Sequence, residues 1–331
     1  MKNLGIESII LLEIIGFTTA VHNAAWKRHK ERFKKFYPSP FIDRIRERYW
    51  KRVNSRIRIH NFDARNGKQT FFMTLNVFAD YSDVEKINLR STIVDESTRF
   101  SKTKYITNSS VRNWPNILDY RENDCLSPVL DQGSCGSCWA FVASTVLEFF
   151  QCNKKSNELV LYSRQQLVSC DTNNFGCDGG FYVNGWVWAA NAGGLCEDKD
   201  YPYTSKSKTI AVPCETTCLK ENIVTEFKWT SADAIAIQNA LFSEGPVAAA
   251  LDATDNFIYY SEGVFDDKEC TTTANHAVII VGYGTSVDGT PYWIVQNTWG
   301  TSWGMNGYIL VRRGVNMCGI ESYCAVLTLK E

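Results

Sequence analysis

A long, mostly apolar stretch directly follows Cys138. Nearly every position from 139 to 150 is apolar, the members being Trp139, Ala140, Phe141, Val142, Ala143, Val146, Leu147, Phe149 and Phe150. A helix that is apolar on all sides belongs inside a hydrophobic core. The pattern therefore predicts a buried helix whose first turn carries Cys138.

The pattern changes from helical to extended after His276. A capping box at Ser163 predicts a short helix that ends at Cys170, and a further helix is expected to stop at the glycine pair 193–194. Beyond His276, extended apolar runs separated by Gly-rich turns are typical of strands. These strands are expected at 277–283, 292–296 and 308–311. Helices first and strands later predict an α+β fold with two subdomains.

The region before residue 113 has a different character. Residues 24–62 combine Arg, Lys and aromatic side chains with helical spacing of the apolar positions, which predicts an amphipathic helix that docks on protein. From Ser91 to Asn113 the chain is polar and rich in Ser and Thr, as is typical of an exposed linker. This linker contains the only glycosylation sequon of the chain, at Asn108.

The first residues look like a targeting signal. Lys2, an apolar stretch over 9–17 and small residues at 18–20 predict a secretory signal peptide at residues 1–20. A buried N-terminal helix is the alternative. The stretch is too short to span a membrane, and no other segment is long enough, so no membrane association is expected.

Charge divides the chain at the same boundary. Residues 1–112 contain 22 Lys and Arg against 11 Asp and Glu, a net charge of +11, whereas residues 113–331 contain 13 against 25, a net charge of −12. The basic part alone would suggest nucleic-acid binding. The acidic remainder, the secretory start and the absence of a recognition motif argue against it, so no nucleic-acid partner is expected.

Cysteine is confined to the second part. All 12 cysteines lie between Cys125 and Cys324, a density that indicates disulfides and an oxidising compartment. Zinc would require paired cysteines or Cys/His clusters, and the only C-x2-C pair is Cys135 with Cys138. No metal site and no cofactor are expected.

The segment around Cys138 contains the candidate nucleophile of the chain. Residues 131–141 read Asp-Gln-Gly-Ser-Cys-Gly-Ser-Cys-Trp-Ala-Phe. A thiol at a helix N-terminus lies near unpaired N–H groups and the positive end of the dipole, which favours the nucleophilic thiolate. The run Cys135-Gly136-Ser137-Cys138-Trp139 matches a signature of papain-type nucleophiles. The chain resembles the papain-like cysteine peptidases, over nearly its whole length those of the cathepsin L/F type.

The resemblance assigns a catalytic set. His276 is the only histidine after residue 60, and it lies within the family's interval from the nucleophile. By resemblance Asn297 orients the imidazole, Trp299 covers that contact, and Gln132 with the Cys138 N–H stabilises the oxyanion. Cys138 and His276 are expected to form a thiolate–imidazolium pair. The departures at Gln296 and Thr298 are expected to leave the chemistry untouched.

Substrate binding is also implied by the resemblance. The run Gly176-Cys177-Asp178-Gly179-Gly180 resembles a glycine-rich strip whose backbone pairs with an extended peptide. Two tyrosine hydroxyls in the S2 pocket would favour medium aliphatic side chains. The residues expected to line this pocket are Phe181, Tyr182, Ala248, Ala277 and Tyr323.

Two motifs suggest an inhibitory propeptide. Both resemble propeptide motifs of the family, with departures at Ile42, Val53 and Thr74; the matching positions are Arg46, Trp50, Ile57 and Asn61, then Asn76, Phe78 and Asp80. The resemblance implies a propeptide at 21–112 and a peptidase domain at 113–331. The peptidase would have a helical left domain and a β-barrel-like right domain. Opposite charges on the two parts suggest attraction that weakens when acid protonates carboxylates.

The same resemblance implies disulfides. It pairs Cys135 with Cys177, Cys270 with Cys318 and Cys125 with Cys152, and it pairs Cys170 with Cys214 or Cys218. With Cys138 reserved for catalysis, at least one more thiol must stay unpaired or bond another chain. The pairing of Cys196 and Cys324 is left open.

The sequence thus predicts a monomeric cysteine endopeptidase zymogen acting on proteins or peptides, inhibited by its own propeptide. It is expected in the secretory pathway, with a lysosomal or extracellular destination. A catalytically inactive homologue that binds or inhibits is the alternative. It is disfavoured because Gln132, Cys138, His276 and Asn297 are all present.

Overall fold

The computed structural model describes residues 24–94, 105–107, 114–207, 213–214, 218, 220–221 and 226–328. The predicted signal peptide at 1–20 and the sequon at Asn108 lie outside these residues, as does most of the predicted linker. No helix among the described residues is both long and apolar enough to cross a membrane.

The described residues 24–94 of the N-terminal segment contain three helices and a strand. Helix α1 spans 24–32, α2 spans Pro40–Arg65, strand β1 spans Phe71–Met73 and α3 spans Asp83–Asn88. The single helix predicted over 24–62 is therefore two helices. Ser39 caps α2 by accepting from the Ile42 N–H, and Pro40 occupies its first turn, a combination that starts a helix.

The predicted elements of the second part are present. Helix α4 spans Cys138–Gln151 and every one of its residues is buried. The remaining helices are α5 at Arg164–Cys170, α6 at Tyr182–Asn191, α7 at Ala234–Ser243 and α8 at Asp255–Ile258. Strands β2 to β8 are Tyr105–Ile106, Leu118–Asp119, Leu195–Cys196, Lys220–Glu221, Glu226–Thr230, Val247–Leu251 and Tyr260–Phe265. Strands β9 to β12 are His276–Thr285, Pro291–Gln296, Tyr308–Arg312 and Ala325–Thr328.

One ten-stranded sheet organises the molecule, in the order β1-β8-β11-β10-β9-β7-β12-β6-β2 with β3 paired to β9. The described strands follow an open path, so the sheet is not the closed barrel that the right domain was expected to resemble. The N-terminal segment and linker supply both outermost strands: β1 pairs antiparallel with β8, and β2 pairs parallel with β6.

The sheet separates two hydrophobic clusters. Along β7, Val247, Ala249 and Leu251 face one cluster, whereas Ala248 and Ala250 face the other. This alternation is the period of two expected of a strand that is buried on both faces. The first cluster also contains residues of the N-terminal segment, among them Trp26 and Trp50. The second contains most of the apolar residues of α4 and α6. Cys138 begins α4 and His276 begins β9, and this helix packs against this strand. We call the region around these two residues the cleft.

Candidate active site

Cys138 lies at the first position of α4, where the sequence predicted it. Its thiol is buried, and the Thr92 hydroxyl lies 3.4 Å from Sγ. Burial raises the pKa of the Cys138 thiol, while hydrogen bonds from Thr92 and from the backbone of Ala277 partly oppose that shift. Ala277 directly follows His276, so the thiol contacts the residue next to the histidine that the sequence assigned to it.

His276 begins β9 and is held from two sides. Its Nε2 atom is 2.7 Å from Oδ1 of Asn297, and its ring stacks on Trp299 with 4.5 Å between centroids. Because an amide oxygen only accepts, Nε2 carries the hydrogen. The Nδ1 atom makes no hydrogen bond within the described part of the chain. The imidazole is therefore fixed in orientation and tautomer, with Nδ1 left to exchange a proton.

Burial shifts the pKa values of both members of this pair in the precursor. Burial lowers the pKa of His276 to about 4, the Asn297 hydrogen bond opposing the shift and Arg90 reinforcing it. Burial also raises the pKa of Cys138. Both shifts favour the neutral forms at neutral pH, because a desolvated charge is costly. The thiolate–imidazolium pair is thus disfavoured while the site is covered.

The Gln132 side chain is oriented by a hydrogen bond from Thr298. Its Oε1 accepts from the Thr298 hydroxyl at 2.5 Å, and its Nε2 donates to the carbonyls of Cys135 at 3.0 Å and Leu89 at 3.4 Å. Because the Thr298 hydroxyl bonds to Oε1 of Gln132, Nε2 points away from Thr298, towards the Cys135 and Leu89 carbonyls. A serine would offer the same hydroxyl, so the expectation that this departure leaves the chemistry untouched stays a prediction, whereas the contact between Thr298 and Gln132 was not foreseen. The adjacency of Thr298 to Asn297 was the available signal.

The glycine strip is covered by the N-terminal segment. Gly180 N–H donates to the Ser91 carbonyl at 3.1 Å, and Ile93 N–H donates to the Gly180 carbonyl at 3.0 Å, forming a parallel bridge. A Cβ added to Gly179 would lie 2.3 Å from the Ser91 oxygen. Only glycine permits this approach between the two backbones.

The five residues expected to line S2 belong to one hydrophobic cluster. Phe181, Tyr182, Ala248 and Ala277 are fully buried, and Tyr323 packs against them. The Tyr182 hydroxyl donates to the Tyr323 carbonyl. Val94 of the N-terminal segment also packs on this cluster.

Five disulfides link ten of the twelve cysteines. Four pairs are those that the resemblance implied, namely Cys125–Cys152, Cys135–Cys177, Cys170–Cys214 and Cys270–Cys318. The fifth is Cys196–Cys218. Cys138 and Cys324 retain their thiols, and the latter donates to the Ile320 carbonyl at 3.1 Å. No group of three or more His, Cys, Asp or Glu side chains in the described ranges is arranged to hold a metal.

Two known protein families match consecutive parts of this chain. The family model of papain family cysteine proteases matches residues 114–328. The chain belongs to the papain family. A second model, the cathepsin propeptide inhibitor domain, matches residues 26–85. This papain-family chain is therefore a cysteine protease preceded by its own inhibitor domain, in the form of a zymogen.

Relatives support the same assignment. Cathepsin S of Mus musculus is 34% identical over 313 residues, covering 91% of this chain and 88% of that protein. Cathepsin K of Mus musculus is 31% identical, covering 95% and 96%. Among solved structures, digestive procathepsin L2 of Tenebrio molitor larval midgut superposes with a TM-score of 0.86 at 28% identity, covering 93% of this chain and all of that one. The papain-like fold and the zymogen organisation are thus confirmed.

The inhibitor domain docks on α8 and the strand that follows it. Lys86 Nζ lies 2.7 Å from an Asp255 oxygen, and Arg90 donates to the Ala253 carbonyl at 2.6 Å. Asn76 of the second propeptide motif donates to the Ile258 carbonyl at 2.7 Å. Arg56 reaches Asn256 at 3.0 Å and also pairs with Glu269. The opposite charges of the two parts therefore meet directly at the interface.

The two propeptide motifs also hold the domain together. Asn61 Nδ2 donates to the Met73 carbonyl at 2.8 Å, and Met73 N–H donates back to Asn61 Oδ1 at 2.9 Å. Arg46 pairs with Glu85 and donates to the Asp80 carbonyl at 3.1 Å. These contacts fix β1 and α3 on α2, and so fix the direction in which residues 89–94 enter the cleft.

Proposed function

We propose that Cys138, His276, Asn297 and Gln132 form the catalytic centre of an endopeptidase. The Cys138 thiolate attacks the carbonyl carbon of a peptide bond, and the proton held at His276 Nδ1 passes to the leaving amine. The resulting thioester is hydrolysed by a water whose proton His276 accepts. The Gln132 amide and the Cys138 N–H stabilise the oxyanion in both halves of the reaction.

The observation that carries this proposal is the way residues 89–94 occupy the cleft. The Leu89 carbonyl accepts from Gln132, the Thr92 hydroxyl contacts the thiol, and the backbone pairs with Gly180. A peptide backbone thus contacts the oxyanion donor, the nucleophile and the glycine strip together. The group at Sγ is a hydroxyl rather than a carbonyl carbon, so the segment blocks the site without being a substrate.

The S2 assignment is part of this proposal. Phe181, Tyr182, Ala248, Ala277 and Tyr323 share one cluster, and Val94 packs on it. The Tyr182 hydroxyl donates to the Tyr323 carbonyl and so joins two of the proposed lining residues. A branched aliphatic side chain of about the size of Val94 is the group that this pocket fits best.

We also propose the remaining features of the precursor. The signal peptide spans 1–20, the propeptide 21–112 and the peptidase domain 113–331. Carriage through the secretory pathway, with Asn108 glycosylated and a lysosomal or extracellular destination, is supported by the five disulfides, which need an oxidising compartment. The enzyme acts as a monomer on protein or peptide substrates, without nucleic acid or membrane.

The direct test is acid activation of the purified precursor. At pH 4.5 under mild reducing conditions, the precursor is expected to shorten to a form that starts near residue 113 and hydrolyses an internally quenched peptide. N-terminal sequencing of the product locates the cleavage. Precursor that shortens but cleaves no peptide would overturn the proposed function.

Alkylation should report the covered state of the thiol. We expect iodoacetamide to modify Cys138 in the precursor at least about tenfold more slowly at pH 7 than in the processed enzyme, because burial holds the thiol protonated and Thr92 lies against it. Mass spectrometry of the tryptic peptides measures both rates. Equal rates would contradict the cleft occupancy on which the proposal rests.

The buried His29 is expected to make the folded propeptide less stable in acid. It is buried among Trp26, Phe33 and Trp50, with Nε2 3.9 Å from an Asp80 oxygen. Burial lowers the pKa of His29 to about 4, with Asp80 opposing the shift and Lys35 and Arg32 reinforcing it. An unfolded propeptide carries this histidine at its ordinary pKa. Between those two values the unfolded state binds the proton and the folded state does not, so stability falls as pH falls from 6.5 towards 4.

Replacing His29 with phenylalanine should therefore flatten this acid response. In an inactive Cys138→Ala precursor, we expect His29→Phe to reduce the loss of unfolding free energy between pH 7.5 and 4.5 by about 2 kcal/mol. Urea unfolding followed by tryptophan fluorescence at the two pH values measures the difference. An identical loss in both proteins would refute a role for His29.

A further inference from the structure

The loop from Gln132 to Cys138 carries both oxyanion donors, and a segment over 203–206 supports it from outside. The Lys206 carbonyl accepts from the Ser134 N–H at 2.8 Å, and the Lys206 ammonium lies 2.9 Å from an Asp131 oxygen. A Cβ on Gly133 would lie 1.9 Å from the Lys206 oxygen. The segment and the loop are therefore in close backbone contact.

Tyr203 connects the two ends of the loop. Its hydroxyl donates to the Gln132 carbonyl at 2.8 Å and lies 2.8 Å from Ser137 Oγ. A phenol has one hydrogen, so once Tyr203 donates to Gln132 the remaining bond must be donated by Ser137. The result is a hydrogen-bond chain from Ser137 through Tyr203 to Gln132. It joins the residue before the nucleophile to the residue that bears the oxyanion amide.

This chain explains an unusual feature of α4. Ser137 is the N-cap residue, a position where a serine normally accepts a hydrogen bond from an N–H group of the first turn. Here the Ser137 side chain makes no such bond to the helix. Its hydroxyl is engaged by Tyr203 instead. The N–H groups that a serine cap would normally bond, those of Trp139 and Ala140, therefore receive no side-chain acceptor from Ser137.

Tyr203 is itself rigidly held. Its ring meets Phe141 of α4 edge-on, with 4.9 Å between centroids. The next two residues donate their N–H groups to Oε1 of the buried Gln165, at 2.8 Å from Thr204 and 3.0 Å from Ser205. Burial raises the pKa of Tyr203, so its hydroxyl stays protonated and able to donate.

We propose that Tyr203 is a positioning residue for oxyanion stabilisation. It acts through the Gln132 backbone and through Ser137, and it fixes the distance between the Gln132 amide and the Cys138 N–H. The inference rests on the proposed catalytic roles of Gln132 and Cys138. It extends them by naming the group that sets the spacing of the two donors.

The test is Tyr203→Phe in the processed enzyme, because phenylalanine keeps the ring contact with Phe141 and removes only the hydroxyl. We expect kcat for a peptide substrate to fall about tenfold while KM changes less than about twofold. Iodoacetamide alkylation of Cys138 should stay within about twofold of wild type, since alkylation forms no oxyanion.

Tyr120→Phe is the matched control. Tyr120 also meets α4 edge-on, at Phe149 with 5.1 Å between centroids, and its hydroxyl donates to the Leu241 carbonyl at 2.9 Å. The change removes an equivalent hydroxyl from the same helix surface but leaves the loop intact. We expect kcat to stay near the wild-type value.

Three results would contradict the proposed role of Tyr203, and the third would also contradict the proposed function. Undiminished kcat in Tyr203→Phe, with an active wild type, would overturn this inference alone. A fall in alkylation that parallels the fall in kcat would also overturn it, since that pattern reports general damage to the site. Peptide hydrolysis that survives Cys138→Ala would overturn the proposed function and this inference with it.

Discussion

Cys138→Ala in the processed enzyme is expected to lower kcat by a factor on the order of 10⁶, the size of loss known for a serine peptidase that loses its nucleophile. Alanine keeps the helix and the burial but offers no group that can form the thioester. His276 cannot compensate, because its role is to move a proton and not to form the covalent bond. Hydrolysis of a fluorogenic peptide by the purified variant measures the loss.

The control for this change is Cys324→Ala. Cys324 is the other cysteine outside the disulfides, and it is buried in the opposite hydrophobic cluster. We expect this variant to retain activity within a few-fold of wild type. The Cys138→Ala precursor should also stay intact in acid by itself, yet be cut when a trace of active enzyme is added. Comparable losses in the two cysteine variants would show that fold damage, and not loss of the nucleophile, lowers the rate.

The second large effect is expected from Gln132→Ala. Loss of one oxyanion donor typically costs about 10² to 10³ in kcat, or roughly 3–4 kcal/mol. The Gln132 side chain is buried and its amide is held by Thr298, so the donor is preorganised and needs no rearrangement during the reaction. We expect KM to change little, because the oxyanion exists only after attack.

Two further measurements make this prediction specific. Alkylation of Cys138 by iodoacetamide should be nearly unchanged in Gln132→Ala, since the thiol is still present and no oxyanion forms. Gln238→Ala serves as the control, because Gln238 is another buried glutamine whose side chain accepts from Arg313 at 2.9 Å. A loss of alkylation as large as the loss of kcat would argue that Gln132 holds the nucleophile in place rather than the oxyanion.

The sequence predicts the elements whose signals are local. Helix α4 begins at Cys138 as expected because its apolar residues admit only a buried environment. The three strands after His276 also lie where alternating and continuous apolar runs place them. The break between α1 and α2 was predictable in principle, since Ser39 and Pro40 are a helix-start signal within the apparent single helix.

Features that depend on distant contacts were missed. The role of Thr298 arises because Gln132, far away in the chain, presents its amide oxygen to that hydroxyl. The shifts in the pKa values of Cys138 and His276 are caused mainly by burial in the folded chain, which no local motif encodes. The Cys196–Cys218 bond was likewise open, because cysteine spacing alone allows several pairings.

Loss of the two outermost strands on activation would expose both edges of the sheet. Strands β1 and β2 both precede residue 113, so cleavage at the proposed boundary would remove a partner of β8 and a partner of β6 at opposite ends of the same sheet. Unpaired strand edges are templates for association with other chains. In the precursor these edges are covered within the molecule. The peptidase domain should therefore fold most safely while still joined to its N-terminal segment, which would then act as a folding template as well as an inhibitor.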